Sequence, residues 1–275
     1  MSALAHHPWN TEFTWVDHRG PFRRITAEQA AEFDEHGFFV LEGAVDATTI
    51  AALTGAIDPL DREVMDFLAA RPDGRFSIAG VDLVSIVLHP AARSEVCREF
   101  CTSELMADLG HDLIGPDVRL YWDQSVYKRP QGTEPVLWHQ DNGYTYIEPQ
   151  AYLTVWVALT DATPENGCVS VLPGVHRDGT AAHRDTPIGF ECCVDPPGAI
   201  LVPVRAGSAI VFSSLTPHAT GRNHTDEIRR AYIVQLAPVD AECLRGDPDA
   251  GPPVSRDRQD APDRQFPVLV GGRRP

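Results

Sequence analysis

Residues 152–172 read YLTVWVALTDATPENGCVSVL, and this stretch decides the fold class. Two short runs rich in β-branched and apolar residues, 152–159 and 169–172, flank a segment of turn-forming residues. Within that segment Asn166-Gly167 favours a tight change of direction. The pattern predicts two β-strands joined by a turn.

Four further runs of the same kind lie on either side, at residues 118–127, 200–204, 208–212 and 230–236. Short strands at this spacing, separated by turn signals, are typical of an antiparallel sandwich or barrel. Residues 173–199 are rich in Gly, Pro, His and Asp and are too irregular for a regular strand. We interpret them as a long functional loop that could form a lid.

The N-terminal part of the chain carries helical signals instead. Thr26 and Gln29 form a capping box at the start of one helix, and a short strand follows at 38–41. Asp46 is in position to cap a second helix, and residues 85–114 look helical in two pieces. We expect these helices to pack against the predicted sheet.

The length and composition favour a single domain, 1–275. With 43% hydrophobic and 23% charged residues, the chain can bury a substantial core. The regular patterns end near residue 238, so we place the core at about 25–238. The C-terminal extension 239–275 carries many Pro, Asp and Arg, and we expect it to be loosely structured apart from a short run at 266–270.

The charge and the cysteine pattern bound the partners and the compartment. A formal net charge of −16 repels polyanions, which argues against nucleic acid as a partner. No segment approaches the roughly 20 apolar residues of a membrane span, so we predict no membrane association. The six cysteines contain no CxxC pair and the first ten residues do not resemble a secretion signal, which predicts a cytoplasmic protein with free thiols.

The tripeptide His-x-Asp occurs four times, so context must select among the four copies. His139-Gln140-Asp141 lies between two predicted strands, whereas His183 and His224 lie in irregular or charged stretches where a solvated histidine is expected. His176 follows a predicted strand and could face a pocket as a substrate contact. His218 follows another strand-like run and is the natural partner of the first copy.

Two imidazoles and one carboxylate form the ligand set of iron(II) sites that leave one face open for oxygen chemistry. We therefore predict His139, Asp141 and His218 as catalytic metal ligands, with an ordinary surface ion pair as the alternative for the first two. Arg229 stands at the start of a predicted strand and can offer its planar fork to the far end of a dicarboxylate. Because neighbours along a strand alternate, only one of Arg229 and Arg230 can face inward.

Several motifs together resemble the phytanoyl-CoA dioxygenase superfamily of iron(II)/2-oxoglutarate oxygenases, over roughly residues 25–238. These are Trp138-His139-Gln140-Asp141, Asn166-Gly167-Cys168, the run VLPGVH at 171–176, and Pro217-His218-Ala219-Thr220 with Arg229. The resemblance implies a mainly β (α+β) fold, a double-stranded β-helix of the jelly-roll or cupin-like type buttressed by N-terminal helices. It also implies Fe(II), with 2-oxoglutarate and O₂ as co-substrates, and Arg229 on the 5-carboxylate of 2-oxoglutarate. Further positions are implied to face the co-substrate pocket: Thr220, Trp156, Lys128 and Gln124.

The expected function is therefore that of a non-haem iron(II)/2-oxoglutarate-dependent dioxygenase. It would oxidise, most simply by hydroxylation, an unactivated C–H bond of a small metabolite or natural-product intermediate, releasing succinate and CO₂. The net charge of −16 disfavours a coenzyme A thioester as the substrate. Two alternatives stay open: a cupin-like metal-dependent isomerase or 2-oxoglutarate-independent dioxygenase, in which Arg229 has no task, and a non-catalytic jelly-roll binding module.

Overall fold

The protein is described here by a computed structural model that covers residues 4–81, 83–132 and 134–275. Two 3₁₀ turns, Pro90–Ala92 and Val175–Asp178, interrupt the regular elements. In chain order those elements are α1 (Ala27–His36), β1 (Phe38–Leu41), α2 (Ala47–Ala69), β2 (Arg75–Phe76), β3 (Ala79–Gly80), β4 (Val84–Leu88), α3 (Glu95–Cys101), α4 (Glu104–Leu113), β5 (Val118–Lys128), β6 (Val136–His139), α5 (Asp141–Tyr144), β7 (Ile147–Glu148), β8 (Leu153–Ala158), β9 (Val169–Val171), β10 (Arg184–Thr186), β11 (Gly189–Glu191), β12 (Ile200–Val202), β13 (Ala209–Ser213), β14 (His218–Thr220), β15 (Arg229–Pro238), β16 (Glu242–Arg245), β17 (Ser255–Asp257) and β18 (Pro267–Leu269).

Two antiparallel sheets form the body of the molecule. The major sheet has the order β1-β13-β8-β15-β5-β18, with β4 also paired to β5, and the minor sheet has the order β12-β9-β14-β6. Apolar side chains from both sheets share one buried cluster, so the sheets pack face to face. This architecture confirms the predicted jelly roll.

Alternation along β8 shows how the major sheet divides its two faces. Val155 and Val157 belong to a core shared with the helices, whereas Trp156 and Ala158 belong to the cluster between the sheets. The helix-side core takes side chains from α1 to α4, including Phe33, Leu53, Cys97 and Leu109. The predicted packing of the helices against the sheet is confirmed.

The predicted local signals at the helix starts and at the central turn are also present. Thr26 Oγ1 accepts from the backbone N–H of Gln29 at 3.1 Å, and Gln29 Oε1 accepts from that of Thr26 at 3.0 Å. Asp46 caps α2 through the backbone N–H of Thr49 at 2.7 Å. The turn at 161–167 joins β8 to β9 and carries the chain from the major to the minor sheet.

The prediction of two helical pieces over 85–114 is wrong for its first part. Residues Val84–Leu88 form strand β4, which pairs with β5, and helix begins only at Glu95. A short apolar run has no period that separates strand from helix, and the run of β-branched residues here suits a sheet edge. Cys97 and Cys101 do lie buried on one face of α3, as their spacing indicates.

The C-terminal extension 239–275 is more ordered than expected, and the short run singled out at 266–270 holds strand β18. The extension contributes β16, β17 and β18, and β18 joins the major sheet beside β5, with Val268 and Leu269 buried. The guanidinium of Arg119, itself buried, donates to the backbone carbonyls of Ala241, Arg258 and Gln259. Tertiary contacts order this segment, and periodicity could not reveal them.

Residues 173–199 are more regular than predicted as well. They contain the 3₁₀ turn Val175–Asp178 and the two-stranded hairpin β10–β11. Strand β11 packs against β6, the strand that ends at His139. Among the described residues, no helix has both the length and the apolar character that crossing a membrane requires.

Candidate metal centre

The three predicted ligands meet where the minor sheet faces the major sheet. His139 ends β6, His218 begins β14, and the two are direct partners across this antiparallel pair. Asp141 begins α5, and its Oδ1 lies 3.8 Å from the Nε2 atoms of both histidines. All three side chains are at most partly exposed, and their ligand atoms lie within 4.8 Å of one another. This donor set fits an iron-type divalent cation and does not fit a solvated surface ion pair.

Backbone carbonyls fix the orientation of both imidazoles. His139 Nδ1 lies 2.7 Å from the carbonyl oxygen of Leu137, and His218 Nδ1 lies 3.0 Å from that of Thr216. With Nδ1–H donating to a carbonyl, the Nε2 lone pair is free to bind a metal. Burial, and secondarily the nearby His218, hold the pKa of His139 well below its ordinary range, which keeps the ring in its neutral, metal-binding form.

The carboxylate of Asp141 is held from the opposite sheet by a residue that the sequence reasoning missed. Thr154 on β8 donates its hydroxyl to Asp141 Oδ2 at 2.6 Å, and Gln235 Nε2 donates to Thr154 Oγ1 at 3.3 Å. Oδ1 is thereby left facing the imidazoles. A signal existed, because Thr154 lies two residues before Trp156 and is therefore a polar side chain on the same inward face of an apolar strand.

Arg229 lies at the start of β15 with 1% of its surface exposed. Its guanidinium is 5.2 Å from the Trp156 ring, and none of its three nitrogens hydrogen-bonds to a described residue. Burial lowers the pKa of Arg229 to about 10. A buried guanidinium without a protein carboxylate is costly to maintain, so this corner of the fold fits an anionic ligand that offers a carboxylate.

Arg230 behaves as strand alternation requires. Its side chain lies on the helix side of the sheet, where Nε is 3.3 Å from Asp58 of α2 and the guanidinium packs over Tyr127. Arg229 is therefore the inward-facing member of the pair.

Lys128 and Thr220 share the corner occupied by Arg229. Lys128 is the partner of Arg229 across β5 and β15, and its Nζ lies 3.5 Å from the carbonyl oxygen of Thr220. Burial first, and Arg229 second, lower the pKa of Lys128 well below its ordinary range. The buried hydroxyl of Thr220 has no hydrogen-bond partner among the described residues. Three polar groups and the Trp156 ring thus converge on one small region.

Gln124 makes no hydrogen bond to Arg229, Lys128 or Thr220 among the described residues. It lies four residues from Lys128 along β5, about 13 Å at the usual strand rise, and its Oε1 accepts from Trp122 Nε1 at 3.0 Å. Gln124 of β5 and Trp156 of β8 both pair with Ile233 of β15, which lies between these two strands. Contacts therefore join Arg229, Lys128, Thr220 and Trp156, whereas the side-chain hydrogen bond of Gln124 goes to Trp122.

Two of the other histidines differ from expectation. His176 does not face the triad: it is fully buried, its ring packs 4.4 Å from that of Trp15, and its Nε2 donates to the carbonyl of Asp34 at 3.2 Å. The 3₁₀ turn Val175–Asp178 directs the His176 ring toward α1, and the strand pattern that precedes His176 does not predict this direction. His183 is not solvated, because its Nε2 accepts from the backbone N–H of Gln140 at 2.9 Å. His224 is exposed, as expected.

Aromatic residues stand beside the triad on the side of the β10–β11 hairpin. The ring of Tyr144 lies 5.0 Å from that of His139, and Phe190 of the hairpin packs edge-on against Tyr144 at 5.1 Å. A cavity of about 850 Å³ lies elsewhere: it is lined in part by residues 11–19, and none of the triad lines it.

Comparison with known proteins identifies relatives of this chain. The family model described as Phytanoyl-CoA dioxygenase (PhyH) matches residues 33–231. Over 233 residues the chain is 24% identical to the probable alpha-ketoglutarate-dependent hypophosphite dioxygenase of Stutzerimonas stutzeri, covering 80% of this chain and 81% of that protein. A 122-residue match to phytanoyl-CoA dioxygenase domain-containing protein 1 of Mus musculus is 34% identical and covers 40% of this chain. It covers 42% of the mouse protein, less than half its length.

Solved structures show the same architecture. The non-heme alpha ketoglutarate dependent carbocyclase SnoK from nogalamycin biosynthesis superposes with a TM-score of 0.67 at 25% identity, covering 86% of this chain and 95% of that chain. The epimerase SnoN, solved with Fe3+, alpha ketoglutarate and nogalamycin RO, gives a TM-score of 0.62 at 24% identity, covering 84% of this chain and 96% of that chain. The similarity to SnoN, at 24% identity, shows that the two proteins share the fold.

Proposed function

The chain belongs to the phytanoyl-CoA dioxygenase family and is an iron- and 2-oxoglutarate-dependent dioxygenase. From this premise we propose that it hydroxylates a small substrate at an unactivated C–H bond. The overall reaction would convert C–H, O₂ and 2-oxoglutarate into C–OH, succinate and CO₂. The observation that carries the proposal is the buried guanidinium of Arg229, which has no hydrogen-bond partner among the described residues and packs against Trp156 of the cluster between the sheets.

The triad residues would hold the iron. His139 and His218 offer neutral Nε2 atoms whose direction is set by the carbonyls behind them, and Asp141 offers Oδ1 while Thr154 occupies its other oxygen. When bound, iron would activate O₂ as the oxidant and 2-oxoglutarate would supply two electrons through its oxidative decarboxylation, chemistry that no protein side chain provides. The chain contributes ligand direction, a fixed geometry and a site sheltered from bulk water.

The corner around Arg229 would hold the far carboxylate of 2-oxoglutarate. Arg229 would form a forked pair with it, and Thr220 Oγ1 would donate its hydroxyl hydrogen to the same group. Lys128, 3.5 Å from the Thr220 carbonyl, would add a second cation when it takes up a proton. Trp156 forms a wall 5.2 Å from the guanidinium. Gln124 lies level with Trp156 in the sheet register and is assigned to the substrate side.

The substrate is assigned to the class of small metabolites or natural-product intermediates. The rim beside His139 is aromatic, formed by Tyr144 and Phe190, and suits an apolar face of a substrate. The β10–β11 hairpin, which carries Phe190, is the part of 173–199 assigned the role of a lid. The net charge of −16 argues against a polyanionic coenzyme A thioester. The protein is expected to act in the cytoplasm.

An anaerobic titration tests this proposal. Iron(II) and then 2-oxoglutarate are added to metal-free protein, and the weak visible charge-transfer band of a chelated 2-oxo acid is recorded. We expect the band in wild type, its loss in His139→Ala, and a rise of at least tenfold in the 2-oxoglutarate concentration needed by Arg229→Ala. Arg230→Ala is the matched control, since that side chain lies on the helix side of the sheet. Absence of the band in wild type would refute the assignment of 2-oxoglutarate.

Product analysis distinguishes hydroxylation from related outcomes. SnoK is a carbocyclase and SnoN an epimerase, so an oxidant of this kind is compatible with ring closure and epimerisation. Mass spectrometry under ¹⁸O₂ decides the point for any substrate that accelerates succinate formation. A product heavier by one ¹⁸O atom supports hydroxylation, and a product without added oxygen contradicts it.

A further inference from the structure

The residues next to the ligands His139 and Asp141 along the chain are two buried amides. Gln140 and Asn142 each have 0% of their surface exposed. All the hydrogen bonds of their side chains go to segments outside the triad. Buried amides that are fully bonded specify one arrangement of the segments they join, because each alternative leaves a polar group without a partner.

Gln140 connects the segment that carries His139 and Asp141 to the segment that precedes His218. Its Nε2 donates to the carbonyl of Leu215 at 2.6 Å and to that of Gly179 at 3.0 Å, and its Oε1 accepts from the backbone N–H of Ala181 at 2.6 Å. Both amide hydrogens and the carbonyl oxygen are therefore used. Leu215 lies three residues before His218, so this one side chain bridges the two ligand-bearing segments.

Asn142 repeats the connection. Its backbone N–H donates to the carbonyl of Ser214 at 3.1 Å, and its Nδ2 donates to Thr180 Oγ1 at 2.6 Å. Thr180 in turn donates its hydroxyl and its backbone N–H to Gln150 Oε1, at 2.6 and 2.9 Å. Residues 179–183 thus hold both amides, and we call them the anchor segment.

His183 holds the same anchor segment against the ligand motif. Its Nε2 accepts from the backbone N–H of Gln140 at 2.9 Å, while its Nδ1 donates to the carbonyl of Ala181 at 2.9 Å. The ring lies on Gly143, where a side-chain carbon would overlap it. Any residue other than glycine at position 143 would have to displace the His183 ring.

We propose that Gln140 and Asn142 are positioning residues that set the distance between the His139–Asp141 pair and His218 by tying both segments to residues 179–183. The inference rests on the proposed metal site. Metal affinity depends on how closely the free protein already holds the ligands in the bound arrangement. In this chain the pre-arrangement of the triad is provided by amides that do not touch the metal.

The network also reaches the N-terminal segment. Asn10 Nδ2 donates to the carbonyls of Asp178 and Thr180, at 2.8 and 3.1 Å, and Gln150 Nε2 donates to Asn10 Oδ1 at 3.2 Å. The backbone N–H of His7 also donates to the carbonyl of Thr180, at 2.9 Å. Residues 7–10 therefore also support the anchor segment.

Cobalt(II) serves as the probe of this inference, because its visible spectrum reports the geometry of its ligands. The variant is Gln140→Met, which keeps the length of the side chain and removes its three hydrogen bonds. The matched control is Gln265→Met, a buried amide far along the chain whose Nε2 donates to the Tyr121 carbonyl and whose Oε1 accepts from the Ala261 N–H. Thermal unfolding of both metal-free variants measures the general loss of stability.

We expect the Kd for cobalt(II) to rise about 10- to 100-fold in Gln140→Met, with an altered spectrum, and to stay at the wild-type value in Gln265→Met. Thr180→Val is the second variant, because it lies away from the ligands and removes the hydroxyl that bonds to Asn142 and Gln150, while the backbone bond to Gln150 stays. A smaller rise in Kd is expected. If Gln140→Met does not fold, Thr180→Val decides.

Two results would overturn the inference: wild-type affinity and spectrum in the folded Gln140→Met or Thr180→Val protein, or an equal loss of affinity in Gln265→Met. The second would mean that any lost buried amide weakens the site. Failure of the wild-type protein to bind cobalt(II) at all would instead refute the proposed metal site. The two failures are therefore distinguishable.

Discussion

Thr154 joins the major sheet to the proposed metal site through a hydrogen bond. Its hydroxyl donates to Asp141 Oδ2 at 2.6 Å. In Thr154→Val the shape is kept and this bond is lost, so the carboxylate is free to turn, and we predict a fall of about tenfold or more in cobalt(II) affinity. Thr154→Ser keeps the hydroxyl and should retain most of the affinity. Equal affinities in all three proteins, measured by equilibrium titration, would contradict this role.

His176 makes the stability of the metal-free protein depend on pH. Burial lowers its pKa from 6.5 to about 4 in the folded protein. The folded state therefore resists protonation, and stability present above pH 6.5 is lost as the pH falls toward 4, by about 3 kcal/mol from this group. Denaturant unfolding at pH 7 and pH 4 should show a smaller loss in His176→Gln than in wild type. The exposed His224→Gln should match wild type, and identical losses in all three would refute the assignment.

At the scale of elements, β18 tests whether the C-terminal extension is part of the core. Leu269 packs in the helix-side cluster and is 1% exposed, whereas its neighbour Val270 is 55% exposed. Leu269→Ala should lower the free energy of unfolding by about 2–5 kcal/mol. Val270→Ala should change it by less than about 0.5 kcal/mol. A loss below about 1 kcal/mol in Leu269→Ala, measured by denaturant unfolding, would mean that β18 contributes little to the fold.

At the scale of the whole molecule, metal binding should stabilise both sheets together. His139 and His218 belong to the minor sheet, and Asp141 is bonded to Thr154 of the major sheet. A metal at 100 times its Kd adds about 2.7 kcal/mol, which corresponds to a rise in Tm of roughly 5 °C for a chain of this size. Thermal scans with cobalt(II) should show this rise in wild type and in His224→Ala and none in His218→Ala. A rise in His218→Ala would place the metal elsewhere.

Most elements could be predicted from the sequence because their signals are local. The capping box at Thr26, the cap at Asp46 and the alternating runs at 118–127 and 152–159 depend on neighbours a few residues away. Strand β4 was misread because a five-residue apolar run has no distinct period. Strands β16 and β17 could not be predicted because their order comes from contacts with the distant Arg119 and β7.

The sequence by itself determined the chemistry: which histidines flank predicted strands, that Asp141 completes a ligand set, and that only one of Arg229 and Arg230 can face inward. Such inferences need only residue type and strand alternation, which are properties of the chain within a few residues. The tertiary structure alone decided which groups hold these residues. Thr154, the anchor segment around Thr180 and the burial of His176 arise from contacts between segments distant in sequence, and no local pattern specifies which distant backbone a buried polar side chain will bind.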